Sequence, residues 1–199
     1  KSETDDTKRN KLQIILRNAR KLQSMVDQLL QFRRIDQGKR DERMTGGEII
    51  SFITESVNNL ETLWLDKNQT LDLTVGPEHF LCLFNPDTVQ QTVDNLLSNA
   101  IKYSEPNTHL QVSATVGTID GHQALTFAVT DEGLGIPLHE QKHVLEPFYR
   151  LEQGREQEGS GIGLALVNQL VSGCGGKISF ESPVTKDGKG TCVTVMLPL

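Results

Sequence analysis

The sequence is poor in cysteine and contains no long hydrophobic run. Its three cysteines, Cys82, Cys174 and Cys192, are odd in number and widely separated. This pattern argues against a disulfide framework or a zinc site and predicts reduced, buried thiols in a reducing compartment. No apolar run reaches the roughly 18 residues of a membrane-spanning helix, no secretory signal pattern opens the chain, and the five histidines lack metal-ligand spacing. These absences argue against a disulfide framework and against a membrane-spanning helix within these 199 residues.

Charge of one sign is not in strong excess either. The 199 residues carry a net charge of -6, with 36% hydrophobic and 23% charged residues, which argues against a general binder of nucleic acids or membrane surfaces. This length and composition predict a soluble protein with one ordinary domain and an additional element. Because the chain begins at Lys1 without a methionine and soon enters a helical pattern, we expect it to be a piece of a longer protein.

Residues 8–35 contain no glycine or proline and predict one long helix. Its apolar residues recur in the seven-residue repeat of a coiled coil or a helical bundle. The repeat comprises Leu12, Ile15, Ala19, Leu22, Val26 and Leu29. Further apolar residues beside this seam favour a bundle, whose other members are an absent upstream helix, a second chain or both, unless the helix packs on the domain that follows. The charged, glycine-rich residues 36–47 mark the domain boundary.

The rest of the chain alternates between helical and extended patterns. We predict helices over 48–66, 87–104 and 162–172, and strands over 69–75, 80–84, 109–117, 123–130, 177–181 and 191–197. Asp120-Gly121 indicates a hairpin between two of these strands. Hairpin-joined strands with helices between them predict an α+β fold. We expect an α/β sandwich whose mixed, mainly antiparallel sheet is covered by helices on one face and preceded by the long bundle helix.

The helix predicted over 87–104 carries the first chemical signal. Its apolar stripe comprises Val89, Val93, Leu96, Leu97, Ala100 and Ile101. Asp87 is the expected N-cap. Asn95, Asn99 and Lys102 recur at four- and three-residue spacing on another face. Amide oxygens suit Mg²⁺ and an ammonium suits phosphate, so this ridge either holds a metal and a polyphosphate or is a solvated surface.

Two glycine-rich stretches follow. Asp131-Glu132-Gly133-Leu134-Gly135 comes directly after a strand, where glycines let the backbone approach a flat ligand. The Asp131 carboxylate can accept a hydrogen bond from an exocyclic amine such as that of adenine, and a plain turn is the alternative. Gly159-Ser160-Gly161-Ile162-Gly163-Leu164 opens a helix, so its amides predict an anion site. It lacks both the Lys-Ser/Thr of a phosphate-binding loop and the preceding strand of a dinucleotide fold.

The charged segment between the two stretches, residues 146–158, is long for a loop in a compact domain and predicts a lid. Phe148 is its expected apolar anchor. Arg150 or Arg155 would reach terminal phosphates. A solvated loop is the alternative.

The stretches NLLSNAIKYS, DEGLGIP, PFYRLE and GSGIGLALV, in this order, closely resemble the N, G1, F and G2 boxes of sensor histidine kinases. These kinases belong to a wider ATP-binding class with type II topoisomerases, mismatch-repair ATPases and heat-shock chaperone ATPases. The resemblance covers residues 48–199, and the helix over 8–35 resembles the second helix of the family's dimerisation and histidine-phosphotransfer bundle. The implied domains are a partial dimerisation and phosphotransfer region, 1–40, and an ATP-binding catalytic domain, 46–199.

The resemblance implies a role for each matching residue. Asn99 would ligate Mg²⁺, Asn95 would lie beside it and Lys102 would contact phosphate, so these three form the implied catalytic set. Asp131 would bind the adenine amine. The implied nucleotide-binding set comprises Asn99, Lys102, Tyr103, Asp131, Gly133, Gly135, Ile136, Phe148, Arg150, Gly159, Gly161, Gly163 and Leu164.

Departures from the family pattern bear on the chemistry. Hydrolysing relatives have a water-activating glutamate one turn before the metal-binding asparagine. This chain has Asn95 there, and because an amide is no general base, transfer to an acceptor is favoured over hydrolysis. Ile162 replaces the commoner leucine, a volume-conserving change. No stretch resembles the helix that carries the family's phospho-accepting histidine. His139-Glu140 is similar only superficially, and we expect this histidine at the surface.

The function implied by the resemblance is that of a sensor histidine kinase's catalytic domain. Such a domain transfers the ATP γ-phosphoryl group to a histidine, from which it passes to an aspartate of a response-regulator receiver domain. The implied cofactors are ATP and Mg²⁺. The implied partners are the phospho-accepting bundle helix and the receiver domain, with a homodimeric parent and no nucleic-acid or membrane contact of this segment. The implied location is the cytoplasmic part of a membrane-anchored bacterial sensor.

Two rival functions share the ATP-binding fold. One is an anti-sigma-type serine kinase, which the heptad helix at the front disfavours. The other is a degenerate ATP-binding scaffold that signals by binding alone, which the intact Asn99, Asp131 and glycine set disfavours.

Overall fold

Helix α1 (Ser2–Asp36) makes up nearly all of the first of two compact units, residues 1–40 and 41–199, in the computed structural model. The structure describes residues 2–36, 43–119, 121–154, 157, 159–185 and 188–199. The helix predicted over 8–35 is confirmed. Its seven-residue seam is exposed along its length, at Leu12, Ile15, Ala19, Leu22, Val26 and Leu29. No helix in the described ranges has both the length and the apolar character of a membrane span.

The second unit, residues 41–199, alternates short helices and strands. In chain order these are β1 (Thr45–Glu48), α2 (Ile49–Asn58), α3 (Glu61–Leu65), β2 (Thr70–Gly76), β3 (Leu81–Phe84), α4 (Pro86–Tyr103), β4 (His109–Ile119), β5 (His122–Asp131), α5 (Gly163–Gly173), β6 (Lys177–Glu181) and β7 (Thr191–Pro198). The predicted hairpin joins β4 to β5; its residue Asp120 lies outside the described residues.

Five of the strands form one sheet in the order β2-β4-β5-β7-β6. The β2–β4 pair is parallel, with Thr70 opposite His109, and the other three pairs are antiparallel. In the β5–β7 pair Asp131 lies opposite Thr191. The predicted α+β fold with a mixed, mainly antiparallel sheet is confirmed.

Because side chains alternate along each strand, one face of the sheet is apolar and packs into the core. On β5, Leu125, Phe127 and Val129 are buried, whereas Thr126 and Ala128 between them are only half-buried. The helical side of the same core comprises Ile49, Ile53, Val57, Val89, Val93, Leu97, Ala100, Val167 and Val171. Each fully buried aliphatic or aromatic side chain contributes roughly 1.5–3 kcal/mol, so this burial holds the helices on that face.

Residues near the start of the second unit depart from the prediction. The helix predicted over 48–66 is two helices, because α2 ends at Asn58, and Asn59 and Leu60 turn the chain with bonds to Glu55 and Val57 carbonyls. Two successive asparagines are poor helix formers. Residues placed in the boundary loop instead form β1, which pairs antiparallel with β3. This pairing joins segments more than thirty residues apart, and no local pattern indicates it.

The three cysteines are free, as predicted. Their expected burial is wrong for Cys174, which is exposed, whereas Cys82 and Cys192 are half-buried. Cys174 is the C-cap of α5, and a residue that ends a helix at the surface has no core to enter.

Helix α4 begins one residue before the predicted position, and its N-cap is Asn85 rather than Asp87. The Asn85 side chain accepts a hydrogen bond of 2.9 Å from the Thr88 amide. Pro86 occupies the first helical position, where its missing N–H costs nothing. Asp87 therefore lies within the first turn, where its charge complements the helix dipole.

Replacing Asn85 with alanine is expected to lower the free energy of unfolding by about 1 kcal/mol, because the Thr88 amide loses its acceptor. Asp87→Ala removes only a favourable charge and is expected to cost about 0.5 kcal/mol or less. Urea denaturation of both variants followed by circular dichroism compares them. A larger loss for Asp87→Ala than for Asn85→Ala would contradict this capping assignment.

Candidate functional site

The polar ridge of α4 lies opposite the buried side of that helix. Val93, Leu97 and Ala100 are buried, whereas Asn95, Asn99 and Lys102 are half-buried. The repeat of the apolar residues therefore fixes the direction of the polar ones. The three predicted catalytic residues share one helix face.

The glycine turn before α5 lies directly against this ridge. A side chain at Gly163 would place its Cβ 2.8 Å from Asn95 Oδ1 and 3.6 Å from Asn99 Nδ2. A Cβ at Gly159 would collide with the Lys102 ammonium. The second glycine stretch and the α4 ridge, about sixty residues apart in the chain, therefore face each other.

Lys102 and Tyr103 form a pair at the end of α4. The Lys102 ammonium donates a hydrogen bond of 2.8 Å to the Tyr103 hydroxyl and lies 4.2 Å from the centroid of its ring. A Cβ at Gly154 would lie 3.1 Å from Tyr103 Cε1. Tyr103 is thus bordered by the lysine on one side and by the predicted lid segment on another.

The two asparagines of the ridge differ in their hydrogen bonding. The Asn95 amide donates a bond of 2.8 Å to the Gln91 carbonyl one turn earlier. Among the described residues, no hydrogen bond engages the Asn99 side chain, so its amide oxygen is available to a ligand. The described residues contain no cluster of three or more His, Cys, Asp or Glu suited to a metal. A cation here would take Asn99 and complete its shell from a bound ligand or water.

Asp131 is a buried carboxylate at the end of β5. It is 9% exposed and accepts a hydrogen bond of 2.8 Å from the Gly133 amide. Burial raises the pKa of Asp131 to about 6, and backbone hydrogen bonds from Gly133 and Thr191 oppose the rise. A carboxylate kept this dry binds a hydrogen-bond donor more strongly than one in water.

The loop after Asp131 packs closely on the end of α4. A Cβ at Gly133 would lie 2.7 Å from the Tyr103 carbonyl oxygen, so only glycine permits this approach. Ile136 is held from the other side, because its amide donates a bond of 2.6 Å to Ser182 Oγ. The first glycine stretch therefore lies between the α4 terminus and the segment that joins β6 to β7.

Several residues that support this loop were not predicted. Ser182 also donates a bond of 2.9 Å to the Gly190 carbonyl. The Gln141 amide donates to the Ser182 carbonyl at 2.6 Å, and Gln153 donates to the Gly135 carbonyl at 3.1 Å. These are ordinary polar residues in loops, and the only sequence signal near them is the Gly188/Gly190 pair.

The predicted lid is tied to the second glycine stretch through its backbone. The Phe148 amide donates a bond of 2.9 Å to the Gly161 carbonyl. The Phe148 side chain is 60% exposed, so the expectation that it is the apolar anchor of the loop is wrong. Arg150 donates to the carbonyls of Gly154, at 3.2 Å, and Gln157, which braces the loop itself. Arg155 lies outside the described residues.

The remaining predicted residues have structural surroundings of their own. Leu164 packs against the core, Ile162 is buried, and the His139 side chain is exposed, as expected. Together the described residues offer a buried carboxylate, a polar helix ridge with one ammonium, and a glycine turn at a helix N-terminus. This combination suits a flat base with an exocyclic amine joined to a polyphosphate.

Residues 84–199, more than half of the chain, match the family described as histidine kinase-, DNA gyrase B- and HSP90-like ATPase. The sensor histidine kinase WalK of Bacillus subtilis (strain 168) is 31% identical over 178 residues, which is 87% of this chain and 28% of WalK. The circadian input-output histidine kinase CikA of Synechococcus elongatus is 33% identical over 187 residues, 89% of this chain and 23% of CikA. The chain thus spans about a quarter of the length of these relatives.

A solved structure of the mycobacterial sensor histidine kinase MprB superposes on this chain with a TM-score of 0.63 at 28% identity. The superposition covers 78% of this chain and 97% of that structure. The fold similarity therefore extends over almost the whole of that structure.

Gly161→Ala is expected to lower the free energy of unfolding by about 1–3 kcal/mol. Gly161 has a φ of +75°, and an added Cβ would lie 2.8 Å from the backbone of both Phe148 and Tyr149. Gly117→Ala is the matched control, since nothing lies within 4 Å of its Cβ position. Urea denaturation measures both, and equal stabilities would contradict the packing of the lid on this glycine.

The Asp131 carboxyl is expected to make stability depend on pH. Its pKa is about 6 in the folded protein against 3.8 for the ordinary group, so the folded state holds the proton more tightly and stability falls as pH rises between these values. Relative to wild type, Asp131→Asn should therefore gain about 2 kcal/mol in unfolding free energy between pH 4 and pH 7. Denaturant unfolding at both pH values checks this. The exposed Asp66→Asn serves as control, and a flat difference for Asp131→Asn would refute the assigned cause.

Proposed function

The chain belongs to the family of histidine kinase-, DNA gyrase B- and HSP90-like ATPases, and we propose from this how its residues use ATP. Its second unit is an ATP-binding catalytic domain of the sensor-histidine-kinase type. The phosphoryl donor is ATP, and the acceptor is a histidine imidazole that another helix supplies. The acceptor then passes the group to an aspartate of a response-regulator receiver domain.

The observation that carries this proposal is the contact between the α4 ridge and the second glycine stretch. Gly163 lies against Asn95 and Asn99, and Gly159 lies against Lys102. A polyphosphate bound along these groups would meet backbone amides, a helix N-terminus and an ammonium at once.

The base would lie at the Asp131 end of the site. The buried Asp131 carboxylate would accept the hydrogen bond of the adenine amine, and Gly133 and Gly135 would form part of the wall beside the ring. Tyr103 lies between the base end and the phosphate end, because its carbonyl contacts Gly133 and its hydroxyl contacts Lys102.

Mg²⁺ fits the donor set, because the amide oxygen of Asn99 has no protein partner among the described residues. Asn99 would hold the ion, which would neutralise charge on the bound phosphates. Lys102 would add a fixed positive charge on the same side. The protein's contribution is then orientation and electrostatic stabilisation rather than covalent chemistry.

Transfer is favoured over hydrolysis by the residue at position 95. The Asn95 amide has no proton-accepting group at neutral pH, and its nitrogen is held by the Gln91 carbonyl at 2.8 Å. An imidazole needs no such base, because its unprotonated ring nitrogen attacks phosphorus directly. The bond from the γ-phosphorus to the bridging oxygen breaks, and ADP leaves with that electron pair.

Residues 1–40 form the other proposed domain, the second helix of a dimerisation and phosphotransfer bundle, with the catalytic domain at 46–199. The support is the exposed apolar seam of α1, which Leu12, Ile15 and Val26 exemplify. Such a repeat buries itself against neighbouring helices in bundles. We therefore propose a homodimeric parent in which this helix packs with the one that bears the acceptor histidine.

The test is titration of the chain with β,γ-imido-ATP, with and without Mg²⁺, beside Asn99→Ala. Wild type should bind more tightly with Mg²⁺ than without it, and Asn99→Ala should lose that gain, a weakening of about tenfold or more. Isothermal titration calorimetry measures the affinities.

Asn58→Ala is the matched control, because Asn58 is an exposed asparagine at the end of α2. It should bind like wild type with and without Mg²⁺. Absence of binding by the wild-type chain under both conditions would sink the proposed function.

A further inference from the structure

The last turn of α4, which carries Lys102 and Tyr103, is hydrogen-bonded by Lys67, a residue far away in sequence. The Lys67 ammonium donates to the carbonyls of Ile101 at 2.8 Å, Lys102 at 3.1 Å and Ser104 at 3.0 Å. Three bonds use all the donors of an ammonium. Carbonyls at a helix C-terminus lack partners within the helix, and a cation there also interacts favourably with the helix dipole.

Gln69 completes the same attachment. Its side chain is 2% exposed, and its amide group donates to the Glu105 carbonyl at 3.0 Å and, at 3.3 Å, to the Ile101 carbonyl. The backbone joins in as well, since the Asn107 amide donates to the Lys67 carbonyl at 3.1 Å. The connection between α3 and β2 is therefore hydrogen-bonded to the connection between α4 and β4.

The held turn is the part of α4 that meets both glycine stretches. The Tyr103 carbonyl lies against Gly133, and the Lys102 ammonium lies against Gly159. Without the hydrogen bonds from Lys67 and Gln69, the last carbonyls of α4 would need water as partners, and the turn would fray, as helix ends do. Fraying would displace Lys102 and Tyr103 together.

We propose that Lys67 is a positioning residue for the nucleotide, which fixes the last turn of α4 so that Lys102 meets the phosphates. The proposal rests on the proposed function, since it assigns the phosphates to Lys102. Burial lowers the pKa of the Lys67 ammonium, and Glu105 acts against this. Because all three donors of its ammonium are bonded to carbonyls at the end of α4, Lys67 acts on the ligand only through that helix.

The experiment measures the affinity for Mg²⁺–β,γ-imido-ATP in Lys67→Met, Lys102→Ala and the double variant. Lys67→Met should weaken binding by about five- to tenfold, and it should have little further effect in the Lys102→Ala background, because coupled residues give non-additive effects. Native-state hydrogen exchange should show faster exchange of the Lys102 and Tyr103 amides in Lys67→Met. Lys67→Arg, which keeps the charge and the donors, should bind within about threefold of wild type.

Val116→Ala is the control for lost stability. Val116 lies on β4 opposite Leu125, five residue pairs along the sheet from the Gln111–Thr130 pair, which is next to Asp131. If Lys67→Met does not fold, Gln69→Met replaces it in the same cycle, with a loss of about two- to threefold expected. The proposal would be overturned if the effects of Lys67→Met and Lys102→Ala on affinity were additive, or if Lys67→Met lost no more affinity than Val116→Ala. In either case, binding by the wild-type chain would still uphold the proposed function. Failure of the wild-type chain to bind the analogue would overturn both.

Discussion

The burial of one face of α4 is the constraint on which the rest of the second unit depends. Val93, Leu97 and Ala100 enter the core against the sheet, and since side chains on a helix have fixed angular positions, Asn95 and Asn99 must face away from it. The hydrophobic effect thus orients polar groups that it does not itself stabilise. Any slip of this helix by one residue would move the polar ridge away from the glycine turn before α5.

The glycines complete the site by the absence of side chains. At Gly133, Gly159 and Gly163 a methyl group would touch the α4 terminus or its ridge, so each glycine marks a place where the backbone of a loop comes close to α4. At Gly159 and Gly163 this closeness brings backbone amides beside the polar ridge, where a bound anion would meet both. It also explains how two glycine stretches and one helix, separated in sequence, come together in the candidate site.

Much of this arrangement could be predicted from the sequence, because its signals are local. The apolar repeat of α4 and the alternation of β4 and β5 indicated their elements directly, and the ordered motifs indicated the family. The failures have a common physical cause in tertiary context. Residues 45–48 became a strand by pairing with β3, and Asn85 displaced Asp87 as cap because Pro86 set the first turn. The support from Ser182, Gln141 and Lys67 arises from contacts over 34 to 46 residues, which no short pattern encodes. The roles of individual residues toward ATP stay predictions.

The hydrogen bond from Asn95 to the Gln91 carbonyl bears on how fast the proposed kinase would hydrolyse bound ATP. In the proposed site, a nucleotide held beside this amide would find no proton acceptor at position 95 to turn water into a nucleophile. The ATP-bound state would therefore hydrolyse slowly while no acceptor histidine is present. In the proposed kinase, the rate of phosphoryl transfer would then depend on how often a histidine is presented in the correct direction, and a sensor would change the output by changing the frequency of that encounter.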